Sequence, residues 1–192
     1  MSDDPPLVVQ GRADAIRRDA IDVFAAQGYR GTSMADIASA AGVSRQTVYQ
    51  YFDNRAAVFR AAFQALLEDA TDAALQALES ETALEERLDG YLQRYKGDGY
   101  ERLASTPFGA ELNDARLEFA ADIADVAFSR ARSGLRDFVH TSTSLTEEQR
   151  ESAIDLLILG PTGLGGDNPT PAAYRRRLTA LATAAAMLIE PA

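Results

Sequence analysis

The chain has 192 residues, 46% of them hydrophobic, and its 19 basic and 29 acidic side chains give a net charge of −10. It has no cysteine and a single histidine, which excludes disulfides and thiolate metal sites and argues against a histidine metal site. No apolar run reaches the ~18 residues of a membrane-spanning helix, and the N-terminus lacks the basic flank of a signal peptide. We therefore expect a cytoplasmic protein with no cofactor, no metal site and no membrane partner.

The acidic side chains are unevenly distributed along the chain. Residues 12–55 contain six arginines and five aspartates, whereas residues 56–192 contain 13 basic and 22 acidic side chains. A near-neutral segment can approach a polyanion that an acidic body repels. The N-terminal quarter is therefore the part of the chain suited to bind a nucleic acid.

The residue pattern predicts an all-α fold. Ala, Leu, Glu and Arg recur at helical spacing, and Val, Ile and Thr do not alternate as they do in strands. Residues 1–11 are expected to form a disordered tail. The first helix is predicted from Arg12 to Gln27, and Gly28 ends it.

Two short helices are predicted next, separated by a glycine. Ser33 and Asp36 have the spacing of a capping box at the start of the second helix, and Gly42 follows its end. The third helix is predicted from Ser44 to Tyr51.

A long fourth helix is predicted to begin at a cap on Asp53 or Asn54 and to continue to about Leu78. Thr82 and Glu85 have the spacing of a capping box for a fifth helix. That helix is expected to end at the sequence KGDG, because glycine disfavours helix interiors.

The remaining sequence predicts four more helical regions. A short piece covers residues 100–105, and Thr106 with Pro107 starts a segment that runs to about Val139 with a break near Asn113.

Thr146 and Gln149 form another predicted capping box. The sequence GPTGLGGDNPTP is expected to be a loop, after which Thr170 and Pro171 open the last helix.

The second and third helices have the spacing of a helix-turn-helix. Ala38 allows the third helix to approach closely, Gly42 permits the tight reversal, and Val48 fills the angle between the two helices. In this motif the second of the two helices, here the predicted third helix of the chain, enters the major groove, and its N-terminal half meets base edges. Ile37 and Val43 supply further apolar positions of the turn.

The polar residues of the third helix have side chains that suit base edges. Arg45 can bond bidentately to guanine and Gln46 to adenine, and the methyl group of Thr47 can contact thymine. The hydroxyls of Tyr49 and Tyr51 suit phosphates, as do free N–H groups at helix N-termini. A purely structural helical hairpin remains the alternative for this segment.

The segment GYRGTSMADIASAAGVSRQTVYQYFDNRAAVF strongly resembles the N-terminal DNA-binding domain of the tetracycline-repressor (TetR) family of bacterial transcription regulators. The resemblance extends from Arg12 to Phe63. Positions in register include Gly28-Tyr29, Thr32-Ser33, Ile37-Ala38, Ala41-Gly42-Val43-Ser44, Tyr49, Tyr51-Phe52 and Phe59. The chain departs from the family at Arg55, where lysine is usual, and at Ala56, where an acid is common.

The resemblance implies a role for each matching polar residue. Residues expected to hold phosphates are Thr32, Ser33, Tyr49, Tyr51 and Arg55, and those expected at base edges are Arg45, Gln46, Thr47 and Gln50, with Ser44 at the start of the same helix. The partner implied is a double-stranded DNA operator.

The resemblance also implies two domains, a helix-turn-helix DNA-binding domain at residues 12–55 and an effector-binding and dimerisation domain at residues 56–192. The effector would be a small, apolar or aromatic molecule, because the expected pocket wall is aromatic. That wall comprises Tyr91, Tyr95, Tyr100, Phe108, Phe119 and Phe128, each of which also suits ordinary core packing.

A homodimer is expected because one helix-turn-helix reads only a few base pairs. The run AIDLLILG and the last helix carry apolar residues that suit a four-helix interface. The residues predicted for it are Ile154, Leu157, Ile158, Leu178, Leu181, Ala185 and Leu188.

Two functions remain open. The first is a dimeric repressor released from a pseudo-palindromic operator by a small-molecule effector. The alternative is a helical ligand-binding or catalytic protein whose N-terminal module does not read DNA. Enzyme chemistry has little support, since the sequence contains no thiol, no pair of histidines and no nucleophile elbow.

Overall fold

The computed structural model describes residues 7–141 and 145–190, and within these ranges the chain forms helices and no strand. The predicted all-α fold is confirmed. In chain order the helices are α1 (Leu7–Gly31), α2 (Met34–Ala40), α3 (Arg45–Tyr51), α4 (Arg55–Leu78), α5 (Leu84–Leu92), α6 (Asp98–Ala104), α7 (Gly109–Phe119), α8 (Ala121–Thr141), α9 (Glu147–Leu164) and α10 (Pro171–Ile189). Among the described residues, no helix combines the length and the apolarity needed to cross a bilayer.

The helices divide into two compact units. Unit 1 comprises Met1–Leu67 and Ser105–Ala124, and unit 2 comprises Glu68–Ala104 and Asp125–Ala192. The division predicted at residue 55 follows chain order, whereas the contacts assign the first half of α4 and all of α7 to the N-terminal unit.

Unit 1 has a core to which five helices contribute. The largest fully buried side chains in it are Ile16, Ile37, Val48 and Val58. Leu112 and Ala115 of α7 pack in the same cluster, which is why this segment belongs to unit 1. Phe24 and Phe59 meet edge to face at 5.1 Å between ring centroids.

Unit 2 has a separate core that is built from α4, α5, α8, α9 and α10. Small residues let these helices approach one another closely. A Cβ atom added at Gly90 would lie 3.1 Å from the Cβ of Ala77, and one at Gly134 would overlap the side chain of Leu75. The core is therefore closely packed where α5 and α8 cross α4.

Most predicted helix boundaries are confirmed. The backbone leaves the helical region at Gly28, with φ 74° and ψ 170°, although α1 begins earlier than predicted, at Leu7. The Ser33–Asp36 and Thr146–Gln149 capping boxes both form. Of the predicted disordered tail at residues 1–11, residues 7–11 are helical, contrary to the prediction, and residues 1–6 lie outside the described residues.

Side-chain caps were predicted at three further helix starts, and two of them form. Asn54 Oδ1 accepts from the Ala57 amide at 2.9 Å, and Thr170 caps α10 with Pro171 in its first turn, both as predicted. The predicted Thr82–Glu85 capping box is wrong, because Ala83 occupies the N-cap position of α5.

The sequence KGDG does not end the fifth helix, contrary to the prediction. A π-helical turn at Gln93–Gly97 joins α5 to α6 and absorbs an extra residue without a break. The Gln93 side chain holds this turn against α10, where its amide donates to the carbonyl of Arg175 at 3.1 Å and its carbonyl accepts from the Arg175 guanidinium at 3.1 Å.

The segment before α8 also differs from the prediction. Thr106 and Pro107 precede the helix, which begins at Gly109, and the break falls at Ala120 rather than near Asn113. The turn at Ala120 is held to α4, where Arg60 donates to the Phe119 carbonyl at 3.0 Å and pairs with Asp122.

The prediction of a loop from Gly160 is wrong for its first five residues, because α9 continues to Leu164 with Pro161 inside it. Side chains of α10 satisfy carbonyls at this end of α9. The hydroxyl of Tyr174 donates to the Pro161 carbonyl at 3.0 Å, and Arg177 donates to the Leu164 carbonyl at 2.7 Å. The last four carbonyls of a helix have no intrahelical donor, and these bonds satisfy two of them.

Replacing Tyr174 with phenylalanine should lower the free energy of unfolding by about 1 kcal/mol or slightly more, since it leaves a buried carbonyl without its donor. Urea unfolding followed by circular dichroism measures the change. Tyr49→Phe removes an exposed hydroxyl from unit 1 and is the matched control. Equal stability of the two variants would show that the Pro161 bond does not support α9.

Candidate nucleic-acid interface

The turn between α2 and α3 is closed by backbone hydrogen bonds. Gly42 takes a φ of 62°, a left-handed conformation that glycine adopts readily. The Val43 amide donates to the Ala38 carbonyl at 3.0 Å, and the Gly42 amide donates to the Ser39 carbonyl at 3.3 Å. The two helices are therefore fixed in a tight reversal, as the sequence predicts.

Val48 determines which face of α3 meets solvent. Its side chain is fully buried, as is that of Ile37 on α2, and Ala38 is almost completely buried beside them. Arg45, Gln46, Tyr49 and Gln50 are exposed. Helical spacing places these four side chains in two neighbouring rows, 45 with 49 and 46 with 50.

Ser44 caps the N-terminus of α3. Its hydroxyl oxygen accepts from the Thr47 amide at 3.0 Å and lies 2.8 Å from the Thr47 hydroxyl. Thr47 is half-buried, so its hydroxyl serves the cap. Ser44 and Thr47 therefore shape the end of the helix at which base contacts are expected.

Arg45 and Tyr49 form a pair on the exposed face. The guanidinium donates to the Tyr49 hydroxyl at 3.3 Å, and its carbon lies 5.4 Å from the centre of the Tyr49 ring. The hydrogen bond to Tyr49 raises the pKa of Arg45. Arg45 and Tyr49 thus present a cation and a hydroxyl as one unit.

Two of the expected phosphate ligands, Thr32 and Ser33, already have partners within the protein. The Thr32 side chain is buried and its hydroxyl donates to the Gly28 carbonyl at 2.7 Å. The Ser33 hydroxyl donates to Asp36 at 2.6 Å, a bond that lowers the pKa of Asp36. Ser33 is exposed, whereas the Thr32 hydroxyl faces the protein interior.

Arg55 and Tyr51, also expected at phosphates, have structural contacts as well. Arg55 donates to the carbonyls of Arg30 at 3.0 Å and Thr32 at 2.8 Å, and its guanidinium lies 4.4 Å from the centre of the Tyr29 ring. Tyr51 is half-buried against the core of unit 1. Sequence reasoning missed these contacts, because no local pattern pairs Arg55 with a carbonyl 23 or 25 residues away.

Residues 16–62 match the sequence profile of the family described as "Bacterial regulatory proteins, tetR family". This match covers α2, the turn and α3. Residues 16–62 therefore form a domain of the tetR-family type.

A curated relative supports this assignment. The chain is 32% identical over 74 residues to a protein of Bacillus subtilis (strain 168) named "Uncharacterized HTH-type transcriptional regulator YezE". The match covers 38% of this chain and 38% of that protein.

Solved structures are similar over nearly the whole chain. A putative tetR-family transcriptional regulator from Mesorhizobium loti matches with a TM-score of 0.66 and 19% identity, over 92% of this chain and 96% of that chain. The fatty acid degradation regulator FadR from Bacillus halodurans matches with a TM-score of 0.59 and 20% identity, over 99% and 98% of the two chains. The fold of a tetR-family protein, a helix-turn-helix domain followed by a helical C-terminal domain, therefore extends along the whole chain.

The six residues expected around a tetR-family effector divide between the two units. Phe108 and Phe119 pack in unit 1, whereas Tyr91, Tyr95, Tyr100 and Phe128 pack in or against the core of unit 2. The Tyr91 hydroxyl lies 3.3 Å from the Ala131 carbonyl, and the Tyr100 hydroxyl donates to the Pro169 carbonyl at 2.7 Å. Burial raises the pKa of Tyr91, and it raises the pKa of Tyr95 to about 12, so both phenols stay neutral.

The residues expected at the subunit interface of a tetR-family dimer need correction. Ile154, Leu157, Ile158, Leu178 and Ala185 are buried in the core of unit 2 itself. Their helices carry apolar residues on more than one side, and periodicity alone does not show which side faces inward. Leu181 is half-buried, and Leu188 is exposed.

A third group of side chains, His140, Glu147 and Glu151, is close enough to share a cation, with ligand atoms within 4.8 Å of one another. Glu151, however, already pairs with Arg132 at 2.9 Å and with Arg136 at 3.0 Å. The arginines neutralise the carboxylate, so the cluster suits an ion-pair network better than a metal site.

Replacing Arg55 with methionine should lower the free energy of unfolding by about 1–3 kcal/mol, because the carbonyls of Arg30 and Thr32 lose a charged donor. Arg55→Lys should recover part of the loss, since an ammonium can still donate but does not stack flat on Tyr29. Thermal unfolding measures both changes, with the exposed Arg176→Met as control. Stability unaffected by Arg55→Met would mean that Arg55 does not support the segment between α1 and α2.

Proposed function

We propose that this tetR-family transcriptional regulator acts as a dimeric repressor that binds a pseudo-palindromic DNA operator and is released from it by a small-molecule effector. The observation that carries the proposal is the exposed face of α3, where Arg45, Gln46, Tyr49 and Gln50 project from a helix anchored by the buried Val48. A helical hairpin with only a structural role does not need four long polar side chains on its free face.

The chemistry of this face suits a mixed base sequence. Arg45 offers a bidentate donor for guanine, and Gln46 and Gln50 offer amides for adenine. Each good bidentate contact gives about 1–3 kcal/mol of discrimination against the wrong base. Tyr49 on this face and Ser33 at the N-cap of α2 are exposed and supply hydroxyls for phosphates.

A useful affinity for DNA needs two helix-turn-helix units, and the paired units of a dimer contact major-groove sites about 34–36 Å apart. The exposed apolar side chains of α9 and α10 support self-association, since Leu159, Met187 and Leu188 are each more than half exposed. The two helices also approach closely, because a Cβ at Gly160 would lie 3.1 Å from Leu181. We assign the subunit interface to this outer face of α9 and α10.

The effector is proposed to bind within unit 2, among the aromatic side chains Tyr91, Tyr95 and Phe128. These residues favour an apolar or aromatic molecule. A ligand that prefers one conformation of unit 2 shifts the population of that conformation. Helix α4 contributes residues to both units, so along the chain it connects unit 2 to the helix-turn-helix.

Replacing Gln46 with alanine should weaken operator binding by about 10-fold or more, because one bidentate base contact is lost. A labelled fragment from upstream of the protein's own gene serves as the first probe, and fluorescence anisotropy gives the affinity. Gln76→Ala changes an exposed glutamine of unit 2 and is the matched control.

Binding by the wild-type chain should weaken steeply with salt, since phosphate contacts release counterions. Failure to bind any genomic fragment at low salt would contradict the proposed function. It would favour a protein whose N-terminal module does not read DNA. Selection of bound genomic fragments identifies the operator, and the adjacent genes then indicate the effector.

Replacing Leu159 and Leu188 together with aspartate should give folded monomers, because the charges would be buried at the proposed interface. Leu157→Asp should instead destabilise unit 2 by about 4 kcal/mol or more, since it places a charge in the core. Sedimentation velocity and circular dichroism separate the two results.

The control for the interface variant is Leu117→Asp, which changes an exposed leucine of α7 in unit 1. It should leave the oligomeric state unchanged. A Leu159→Asp, Leu188→Asp double variant that remains dimeric would place the interface elsewhere.

A further inference from the structure

The segment from the kink at Gly28 to the N-cap Ser33, residues 28–33, is called the junction between α1 and α2. Side chains of two other helices hold it at Arg30. The backbone amide of Arg30 donates to Glu111 Oε1 at 2.6 Å, and its carbonyl accepts from Arg55 at 3.0 Å. Glu111 lies in the first turn of α7, 81 residues away in sequence, and Arg55 is the first residue of α4. Both peptide groups that flank Arg30 therefore have a charged partner from another helix.

Residues 106–111, which lead into α7 and form its first turn, make two further contacts near the end of α1. The Thr106 hydroxyl donates to the Ala25 carbonyl at 2.6 Å. A Cβ atom at Gly28 would lie 2.8 Å from the Phe108 ring and 2.9 Å from the Glu111 carboxylate. Only glycine permits this approach, and its φ of 74° turns the chain toward the junction.

The junction leads directly into the helix-turn-helix that α2 and α3 form. Ser33, the last residue of the junction, is the N-cap of α2, and Ile37 of α2 and Val48 of α3 share the core of unit 1. A displacement of residues 28–33 would therefore move the start of α2, and through the packed core it would move α3.

We propose that Glu111 is a positioning residue for DNA recognition, which holds the α1–α2 junction so that α2 and α3 meet the operator in register. This inference rests on the proposed DNA-binding function. Glu111 acts through the Arg30 amide and needs no contact with DNA. Glu111 holds the junction through its hydrogen-bond acceptor oxygen and not through its negative charge.

The negative charge of Glu111 and its hydrogen bond to the Arg30 amide predict opposite changes in operator affinity when the carboxylate is removed. DNA is a polyanion, so the removal of a negative charge from unit 1 alone would strengthen binding. The loss of the junction contact would weaken it. The sign of the change therefore distinguishes the two effects.

The test compares four variants of the full-length protein on the operator fragment. Glu111→Met keeps much of the side-chain volume but removes the acceptor, and we expect about 10-fold weaker binding. Glu111→Gln retains an acceptor oxygen and should bind at least as tightly as the wild type. Glu118→Met and Glu118→Gln remove an exposed charge from the same helix and are the matched controls.

Two further readouts separate positioning from a general loss of stability. Glu111→Met should bind non-specific DNA at least as tightly as the wild type, since it loses a negative charge, and the slope of its affinity against salt should be unchanged, since no phosphate contact is removed. Loss of folded protein would instead lower specific and non-specific binding together. Circular dichroism at the assay temperature confirms that each variant is folded.

Glu111→Asp is the second variant if Glu111→Met does not fold. It keeps the charge but shortens the reach to the Arg30 amide, so operator binding should weaken with no change in net charge. Exchange of the Arg30 amide hydrogen, followed by NMR, should be slow in the wild type and faster in this variant.

The proposal fails if Glu111→Met and Glu118→Met bind the operator equally, or if Glu111→Gln binds as weakly as Glu111→Met. It also fails if the Arg30 amide exchanges rapidly in the folded wild type. Absence of DNA binding by the wild type would instead remove the proposed function and this role together.

Discussion

The burial of Val48 between α2 and α3 is the constraint on which the remainder of the DNA-binding unit depends. Val48 is fully buried with Ile37, and this contact sets the rotation of α3 about its own axis. Because the helix is only seven residues long, tertiary packing rather than intrinsic propensity must hold it in place. A rotation that exposed Val48 would turn Gln46 and Gln50, on the opposite side of the helix, toward the protein. The apolar contact thereby determines where the polar side chains are available.

Local signals in the sequence predicted much of the helical structure of both units, and tertiary contacts account for what they missed. The Ser33–Asp36 capping box and the turn at Gly42 involve residues close in sequence, so their spacing was sufficient. Pro161 suggested a loop, but Tyr174 of α10 supplies a hydrogen bond that no local pattern reveals. The π-helical turn at Gln93–Gly97 depends in the same way on contacts with α10.

The candidate site shows the same limit. The exposure of Arg45, Gln46, Tyr49 and Gln50 agrees with their predicted role at a DNA surface, a role that stays a prediction. The structural contacts of Arg55 were not foreseen, because its partners lie at the end of α1. The five buried residues of α9 and α10 were assigned to an interface because both an inner core and a subunit contact require apolar side chains.

The hydrogen bond between Arg45 and Tyr49 has a consequence for the thermodynamics of recognition. A free arginine side chain samples many rotamers, and ordering it on binding costs about 0.5–1.5 kcal/mol. Arg45 is already restrained by the hydroxyl and the ring of Tyr49 before any partner arrives. Its complex with a base edge would therefore form with a smaller entropic penalty than an unrestrained guanidinium would incur, and Tyr49 would favour association without contacting a base.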